Sequence, residues 1–440
     1  MSNVTATKAV KIPASEHQIN IDAISRNAFT AINILLKAGH QAYLVGGCIR
    51  DLLLGFRPKD FDISTSARPE EVVKLFRKAR IIGRRFRIVH AYFGREILEI
   101  TTFRGQHPED EDHPHASRSD SGQLLRDNIF GSVAEDALRR DFTANALYYD
   151  IEQNTVIDYA NGYSDIKQGL LRIIGDPEQR YREDPVRMLR AIRFAGKLGF
   201  HIDPATAAPI HELASLLGNI PSARLFDESL KVFLSGYGSK TLPLMLEYGL
   251  FEQLYPVTAP HLQEPFTQQI LLQALHNTDQ RLAIGKGITP AFFYAVLLWP
   301  AVVKASAHYR QIMPEVPALH RASQEAISAQ IIRTSIPKRF SLPMKEIWDM
   351  QLRLPRRHGH RAEKLSFHPR FRAAYDFLLL LEECGQETAG LGQWWTDFQD
   401  ANEAGKRDMV KALNPAGKPQ KKRRRKPRPS KPSNAEHNAE

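Results

Sequence analysis

The chain has 440 residues, of which 42% are hydrophobic, so it is long enough for two to four domains with buried cores. Its only cysteines are Cys48 and Cys384, which excludes a disulfide framework and a cysteine-rich zinc site; we expect both to be reduced and structural. The sequence has no run of 18 apolar residues and no apolar stretch of signal-peptide length at its start. We therefore expect no membrane span and a cytoplasmic location.

The formal net charge of +11 is concentrated near the end of the chain. Residues 418–432, KPQKKRRRKPRPSKP, include nine Lys or Arg and no acid, and 11 less 9 leaves only +2 for the rest. Proline and repulsion between like charges prevent such a segment from folding. We expect residues 414–440 to be a disordered basic tail. It is either a plain solvated tail or an arm for a polyanion, for which nucleic acid is the best candidate.

The first half of the chain alternates helix and strand signals. Residues 1–20 show no apolar period and are expected to be unordered. Apolar residues between Ile24 and Leu36 recur at helical spacing and stop before Gly39, which is typical of a helix ended by glycine. The segments that follow are predicted as strand 42–47, helix 48–55, strand 60–64, helix 69–79, and strands 87–93 and 96–103 around a turn at Gly94 and Arg95. Positions 25 to about 150 therefore predict a small α/β domain.

The second half of the chain is predicted to be helical, from Asp176 to about Leu413. Between the two halves, residues 104–122 are rich in Pro, His, Asp and Ser and predict a mobile loop. A metal site in this loop is the lesser alternative, because its potential ligands lack zinc-like spacing. Those residues are His107, Asp110, Asp112, His113 and His115.

Two aspartates, Asp60 and Asp62, lie two residues apart in the predicted strand KDFDIST. Side chains at i and i+2 of a strand point to the same face, so the two charges repel unless a cation lies between them. Mg²⁺ binds carboxylates together with phosphate oxygens, which makes the pair a candidate metal clamp for phosphoryl chemistry. The alternative is an ordinary exposed strand, on which this spacing is common.

A second group of residues is typical of phosphate binding. Gly46 and Gly47 stand between a predicted strand and helix, where backbone N–H groups can approach a phosphate, and Arg50 follows in the first helical turn. An ordinary tight turn is the alternative. Neither G-x-x-x-x-G-K-[ST] nor G-x-G-x-x-G occurs in the chain, so the P-loop and Rossmann modes are excluded.

Two later segments carry more charge than packing requires. The segment RRDFTANAL adds the cluster Arg139, Arg140 and Asp141. In EDPVRMLRAIRFAGKLGF, Asp184 is a candidate N-cap before Pro185, and arginines then recur every three residues, at Arg187, Arg190 and Arg193. Asp184 and Arg187 are predicted neighbours on this helix, where one acceptor and one set of donors can bind the edge of a base.

Taken in order, LVGGCIRDLLLG, KDFDIST, RRDFTANAL and EDPVRMLRAIRFAGKLGF resemble the head and neck of the class II nucleotidyltransferases. That family comprises the CCA-adding tRNA nucleotidyltransferases and the bacterial poly(A) polymerases, within the polymerase-beta-like superfamily. The resemblance covers roughly residues 25–230. The implied fold is α+β: a polymerase-beta-like head with a small mixed sheet, then all-helical neck and body domains and the disordered basic tail.

The resemblance also implies a role for each matching position. Asp60 and Asp62 match the pair that binds two Mg²⁺ ions, and Gly46, Gly47 and Arg50 match the segment that contacts the triphosphate of ATP. Arg139, Arg140 and Asp141 match the motif near the ribose, with Asp141 the candidate third acidic residue and Glu99 ranked below it. Glu183, Asp184 and Arg187 match the motif that reads the incoming base, and Arg190 is placed in the same nucleotide site.

Within the family, the segment IIGRRFRIVH at 81–90 resembles the one that separates poly(A) polymerases from CCA-adding enzymes. It carries Arg84, Arg85, Arg87 and His90; a basic, aggregation-resistant edge strand is the alternative reading. The helical half lacks a His-Asp phosphohydrolase pattern and includes the basic run 353–365, RLPRRHGHRAEKL. The rivals are a CCA-adding enzyme and a catalytically silent RNA-binding adaptor, and the intact aspartate pair argues against the second.

The implied activity is template-independent transfer of AMP from ATP to single-stranded RNA 3′ ends, which in bacteria marks RNA for decay. The basic tail is a possible contact for RNA-decay or RNA-chaperone proteins. The predicted divisions are a flexible segment at 1–24, the head at 25–165, the neck at 166–230, the helical body at 231–413 and the tail at 414–440.

Overall fold

The computed structural model describes residues 9–83, 87–105, 116–118, 124–127 and 129–413. The strands are β1 (Val10–Pro13), β2 (Ala42–Val45), β3 (Asp62–Thr65), β4 (Ala79–Ile82), β5 (Ile88–Phe93), β6 (Glu96–Thr102), β7 (Ala116–Arg118), β8 (Leu124–Asp127), β9 (Leu147–Asp150), β10 (Thr155–Asp158), β11 (Leu170–Leu171) and β12 (His201–Ile202). Eight of them form one sheet in the order β1-β10-β9-β2-β3-β6-β5-β4. Within it only β3 and β6 pair in parallel, so the sheet is mixed, as predicted.

Short helices cover this sheet and complete the head. They are α1 (Ala14–His17), α2 (Arg26–Lys37), α3 (Gly47–Leu53), α4 (Pro69–Leu75), α5 (Val133–Leu138) and α6 (Gly162–Gln168), with 3-10 turns at Ile21–Ala23 and Thr143–Asn145. Helix α2 buries Ala28, Ala31, Ile32 and Leu35, which recur three and four residues apart and so lie on the face toward the sheet. The predicted helix and strand segments of the head are confirmed to within a few residues at their ends.

The N-terminal segment departs from the prediction of an unordered stretch up to residue 24. Strand β1 pairs with β10 at the edge of the sheet and buries Ile12. Beyond it, His17 is also buried and its Nε2 lies 3.1 Å from the carbonyl oxygen of Asn154. The expectation is therefore wrong for residues 10–24, because a four-residue edge strand owes its order to its pairing partner and has too few positions to show a period.

All longer elements after Asp176 are helices, as predicted. They are α7 (Pro177–Glu183), α8 (Val186–Leu198), α9 (Pro204–Ala207), α10 (Ile210–Leu213), α11 (Ser222–Phe233), α12 (Gly238–Glu247), α13 (Leu250–Leu254), α14 (Pro265–Ala283), α15 (Pro290–Tyr309), α16 (Glu315–Arg333), α17 (Lys338–Arg353), α18 (Arg361–Ser366), α19 (Phe371–Glu383), α20 (Leu391–Asp400) and α21 (Glu403–Ala412), with 3-10 turns at Ala214–Asn219 and Ala259–His261. Helix α8 packs on α11 and α12 and on β11 and β12, so it joins the head to the helical body.

Two hydrophobic cores matter for the layout. The larger runs without interruption from the head sheet through the neck and body helices. A smaller core surrounds Trp395 and Phe371 and holds α18, α20 and the end of α17 together. Helix α15 is long and apolar enough to cross a membrane by length and composition alone, but 61% of its most apolar window is buried. It packs against α16 and α17, which is typical of a core helix.

Gly162 marks a close approach between α6 and the 3-10 turn Thr143–Asn145. A Cβ at this position would lie 2.1 Å from the carbonyl oxygen of Thr143 and 2.7 Å from its carbonyl carbon. Its N–H also donates to Asp158 Oδ1 at 3.1 Å. The turn that carries Asn145 is therefore held by backbone contact with α6.

We predict that Gly162→Ala lowers the free energy of unfolding by about 1–3 kcal/mol, because the added methyl group must displace backbone. Urea denaturation followed by circular dichroism measures this change. Gly287→Ala is the matched control, since a Cβ there meets nothing within 4 Å. Equal stability of the two variants would contradict the close contact.

Candidate active site

The two aspartates lie at the centre of the sheet. Asp62 begins β3, between β2 and β6, and is opposite Val45 on one side and Glu99 on the other. Asp60 is two residues earlier and exposed, while the intervening Phe61 is buried. Because β2 ends at Val45, the following Gly46 and Gly47 lie beside the aspartates.

The electrostatics of Asp62 suit a bound cation. Burial and the negative charges of Glu99 and Asp60, acting against the positive charge of Arg140, raise the pKa of Asp62 to about 6. In the described part of the chain no group of three His, Cys, Asp or Glu side chains is arranged closely enough to hold a metal by itself. Asp62, beside the negative charges of Asp60 and Glu99, suits Mg²⁺, which takes few protein ligands and shares the remainder with phosphate and water.

Glu99 is the carboxylate that the strand pairing places next to Asp62. On its other side, His90 of β5 is opposite Glu99, and His90 Nε2 lies 3.5 Å from Glu99 Oε1. By contrast, the carboxylate of Asp141 is fully engaged elsewhere, as described below. The geometry therefore favours Glu99 over Asp141 as a third carboxylate beside the pair, which reverses the order suggested by the sequence.

The glycine turn brings backbone and guanidinium groups together. Gly46 has a φ of +78°, a conformation that favours glycine, and precedes α3. A Cβ on Gly46 would lie 3.5 Å from Arg140 Nη1, and one on Gly47 would lie 3.4 Å from Arg50 Nη2. The predicted phosphate-contacting residues are thus neighbours of Arg140 in space.

Arg50 is more enclosed than a solvent-facing phosphate ligand. It is only 3% exposed, its Nε donates to Asp51 Oδ1 at 2.9 Å, and its Nη1 donates to Asn145 Oδ1. Lys197 of α8 approaches Asp51 from the neck at 3.3 Å. In this arrangement Arg50 fixes α3 to the turn that carries Asn145, and its contact with triphosphate stays a prediction.

Arg140 belongs to a buried cluster behind the aspartates. Its Nε donates to the Tyr148 hydroxyl at 3.0 Å and its Nη2 to Asp136 Oδ2 at 3.1 Å. Ser64 of β3 also donates to Asp136 Oδ2, at 3.1 Å. Despite burial, the pKa of Asp136 lies below its usual range. The causes are the positive charge of Arg140 and the hydrogen bonds that Tyr148, the Arg104 N–H and Arg140 donate. The cluster therefore fixes Arg140 against the strand that begins at Asp62.

Asp141 links the head to the neck. Its carboxylate accepts hydrogen bonds from Arg190 Nε at 2.7 Å, from Arg190 Nη2, from the Phe142 N–H at 2.8 Å and from Asn145 Nδ2 at 3.2 Å. Although burial acts in the opposite direction, Arg190 and these donors hold the pKa of Asp141 well below its usual range. Arg180 adds a second link, since its Nη2 donates to the carbonyl oxygens of Arg139 and Arg140 at 2.7 and 2.8 Å.

The base-reading motif is arranged differently from the sequence prediction. Arg187 Nη1 donates to Glu183 Oε2 at 3.0 Å and to the Arg180 carbonyl oxygen at 2.7 Å, so its carboxylate partner is Glu183. Asp184 instead accepts from Arg224 Nη2 at 2.7 Å. Asp184 is also the C-cap of α7, and α8 begins at Val186, one residue later than predicted. Asp184 and Arg187 are neighbours, since the Arg187 N–H donates to the Asp184 carbonyl oxygen at 2.9 Å, but their side chains have different partners. Their joint binding of a base edge stays a prediction.

Several site residues carry no recognisable sequence signal. Asn145 and Arg224 complete the contacts of Arg50 and Asp184, and only tertiary structure identifies them. The ring of Phe194 faces three guanidinium groups, those of Arg50, Arg190 and Arg193, at 5.2, 5.4 and 4.8 Å from its centroid. Within the described residues, Arg193 Nε is buried without a hydrogen-bond partner. The three-residue spacing of the arginines already indicated Arg193, but its place beside Phe194 follows only from the structure.

Part of the predicted site lies outside the described residues. Arg84 and Arg85 of the basic segment are among them, as are the five potential ligands of the loop between residues 104 and 122 and the whole basic tail. From the same segment, Arg87 is described and pairs with Glu70, where it holds the pKa of that carboxyl below its usual range.

Comparison with known protein families matches three segments of the chain. The poly(A) polymerase head domain matches residues 42–172, the segment described as the probable RNA- and SrmB-binding site of polymerase A matches residues 199–262, and the arginine-rich C-terminus of polymerase A matches residues 311–430. Together they cover more than half of the 440 residues.

Individual relatives are of two kinds. Poly(A) polymerase I of Escherichia coli O157:H7 is 46% identical over 431 residues, which span 96% of this chain and 92% of that protein. The CCA-adding enzyme of Bacillus velezensis is 32% identical over 313 residues, or 69% of this chain and 76% of the enzyme. Among solved structures, the Bacillus stearothermophilus CCA-adding enzyme in complex with CTP superimposes with a TM-score of 0.57 at 26% identity, covering 89% of this chain and 88% of that one.

We predict a pH-dependent effect of Asp62→Asn on the metal-free protein. An unfolded aspartate has a pKa of about 3.9, whereas the pKa of Asp62 in the folded protein is about 6. The folded wild type therefore loses stability as the pH rises between these two values, and the loss is complete above about pH 6. Measured in EDTA, the melting temperature of the variant minus that of the wild type should increase between about pH 4 and 6 and stay constant at higher pH.

Asp408→Asn is the control for this experiment, since Asp408 is 76% exposed on α21 and its difference from the wild type should stay constant. A difference for Asp62→Asn that is also independent of pH would contradict the assigned environment of Asp62.

Proposed function

This chain belongs to the poly(A) polymerase family and adds AMP to RNA 3′ ends, and we propose that Asp60 and Asp62 hold Mg²⁺ for this reaction while the neck selects the adenine base. AMP passes from ATP to the RNA 3′-hydroxyl, and pyrophosphate leaves. No template is needed, because side chains of the protein take the place of a complementary base.

Two Mg²⁺ ions at this pair would lower the pKa of the attacking hydroxyl and neutralise the leaving pyrophosphate. The pair fits them because Asp62 lies beside the negative charges of Asp60 and Glu99, with Glu99 as the neighbouring third carboxylate. Asp60 is exposed and accessible to substrate, whereas Asp62 is anchored by β3. The chain therefore offers one fixed and one accessible ligand.

The cationic residues around the glycine turn would orient the triphosphate. Arg140 is fixed by Asp136 and Tyr148, so its charge is already in place before ATP arrives. Gly46 and Gly47 leave space beside it for a phosphate oxygen. Preorganised charge of this kind provides most of the rate enhancement in phosphoryl transfer.

Base selection would take place between α7 and α8. Glu183 holds Arg187 and Arg180 in place, and Arg224 holds Asp184. A hydrogen-bonding edge fixed in this way rejects a wrong base, because the wrong base leaves buried groups without partners. The observation that carries this proposal is the Asp141–Arg190 link, which sets the selecting residues at a fixed position relative to the aspartate pair.

The family relationship also supports proposals about the domain boundaries, the basic tail and the turnover of the RNA. We propose that the head, neck and body divide near residues 165 and 230, with the head starting by residue 10 because of β1. The basic tail would contact RNA and RNA-decay or RNA-chaperone proteins, and the polyadenylated RNA would be turned over in the cytoplasm.

A direct assay incubates the purified protein with Mg²⁺, a short unstructured RNA and each NTP separately, and sizes the products on a gel. A long ladder with ATP alone is expected. Asp60→Ala should reduce the rate about 10³-fold or more, since one lost transition-state contact is already worth about 10²–10³. Addition of three nucleotides to a tRNA without its 3′ end, and none to the unstructured RNA, would assign the CCA-adding activity instead.

We predict that Arg187→Ala reduces the preference for ATP over CTP, measured as the ratio of kcat/KM values, by about tenfold or more. Arg182→Ala is the matched control, because Arg182 lies on α7 but pairs with Glu178 at the surface. If Arg187→Ala slows both nucleotides equally, Arg187 is a positioning residue for Glu183 only.

A further inference from the structure

The segment 353–372 of the body is strongly basic. It contains seven Lys or Arg, three His and a single acid, Glu363. The segment runs from the end of α17 through α18 into α19 and lies on the smaller hydrophobic core. Such a charge ratio within twenty residues that pack into the fold predicts contact with a polyanion.

Most of these cations are already used within the fold. The engaged residues are Arg356 with Glu315, Arg357 over the Trp394 ring, Arg370 with Glu346 and Arg372 with Asp376. Arg361 and Lys364, both exposed, have no ion-pair partner among the residues that the structure describes. These two charges are available to a ligand.

Arg361 and Lys364 share one face of α18 with an exposed aromatic ring. The buried residues of this helix are Ala362 and Leu365, which lie three residues apart. Arg361, Lys364 and Phe367 recur at the same spacing on the exposed side that adjoins this buried face. Phe367, the C-cap of α18, is 79% exposed. We call these three residues the α18 stripe.

A cavity of about 490 Å³ lies close to the stripe along the chain, because Pro369 and Arg370 contribute to its lining. Phe292 and Leu380 contribute to its apolar part. Its charged lining consists of three arginines and two carboxylates, namely Arg281, Arg370, Arg372, Asp376 and Glu383. The volume is sufficient for a nucleobase, and an apolar lining with an excess of cationic groups suits a base whose phosphate remains outside.

We propose that the α18 stripe binds single-stranded RNA upstream of the 3′ end, with a base stacked on Phe367 and phosphates at Arg361 and Lys364. The neighbouring base enters the cavity. The inference rests on the proposed function and adds a second RNA contact, on the body, to the active site between head and neck. Two unpaired cations beside one exposed ring form the combination with which proteins bind single strands without reading their sequence.

The site makes RNA binding depend on primer length. A primer that reaches only the active site cannot use the stripe, whereas a longer one binds both. The dissociation constant of the wild type should therefore fall in a step as the primer is lengthened. Base stacking on an aromatic side chain is worth about five- to hundredfold in affinity, which sets the expected size of the step.

Fluorescence anisotropy of labelled oligoadenylates of increasing length tests this with the full chain, without ATP. We predict that Phe367→Ala removes the step, that Phe367→Leu does so too, and that Phe367→Trp retains it. Arg361→Ala with Lys364→Ala should weaken binding of long primers and reduce the salt slope by about 1.4, or 0.7 for each lost phosphate contact. The controls are Ile332→Ala and Lys411→Ala, which change equally exposed apolar and basic side chains on other helices.

The outcomes separate this inference from the proposed function. Two results together support RNA binding by the α18 stripe. All Phe367 variants should add AMP to the shortest extendable primer at the wild-type rate, and Phe367→Ala should lose the step in the dissociation constant with primer length. An unchanged step in Phe367→Ala would overturn it and leave the proposed function intact. Absence of AMP addition by the wild type to primers of every length would instead contradict the proposed function. Melting temperatures equal to that of the wild type exclude misfolding.

Discussion

The ion pair between Asp141 and Arg190 is the interaction on which the rest of this site depends. Asp141 belongs to the head and Arg190 to the first long helix of the neck, and the carboxylate accepts four hydrogen bonds in all. Loss of one member of a buried pair leaves an uncompensated charge, at a cost of about 3–5 kcal/mol. The pair therefore fixes one relative position of the residues proposed to hold the phosphates and those proposed to select the base.

Charge is distributed unevenly around this link, in a way that suits a metal-nucleotide substrate. On the sheet, burial is the largest cause of the raised pKa of Asp62, and the negative charges of Glu99 and Asp60 add to it while Arg140 acts against it. On the neck, the ring of Phe194 is surrounded by guanidinium groups, and burial together with Arg190 lowers the pKa of Arg193. In the proposed function a divalent cation would relieve the first excess and a triphosphate the second, so that each half of the site would be stabilised by a different part of the substrate.

The sequence predicted the chemical residues better than their partners. The aspartate pair, the glycine turn and the arginine helix were recognisable because each is local and has a fixed spacing. The place of Glu99 beside Asp62 has no local signal, since it follows from the parallel register of β3 and β6. The side-chain partner of Asp184 has none for a related reason, because Arg224 is forty residues away along the chain. Contacts that depend on strand register and tertiary packing produce no local sequence pattern, so they cannot be predicted from spacing alone.

The most direct test of the central claim is a double-mutant cycle on Asp141→Asn and Arg190→Gln, measured as kcat/KM for ATP in AMP addition. If the pair joins the phosphate-holding and base-selecting residues, each single variant should have a lower kcat/KM than the wild type. The kcat/KM of the double variant should be no lower than that of the less active single variant. Coupling of about 0.5–3 kcal/mol is expected for residues in contact. Losses that add in the double variant would show that Asp141 and Arg190 act independently, and would contradict the account.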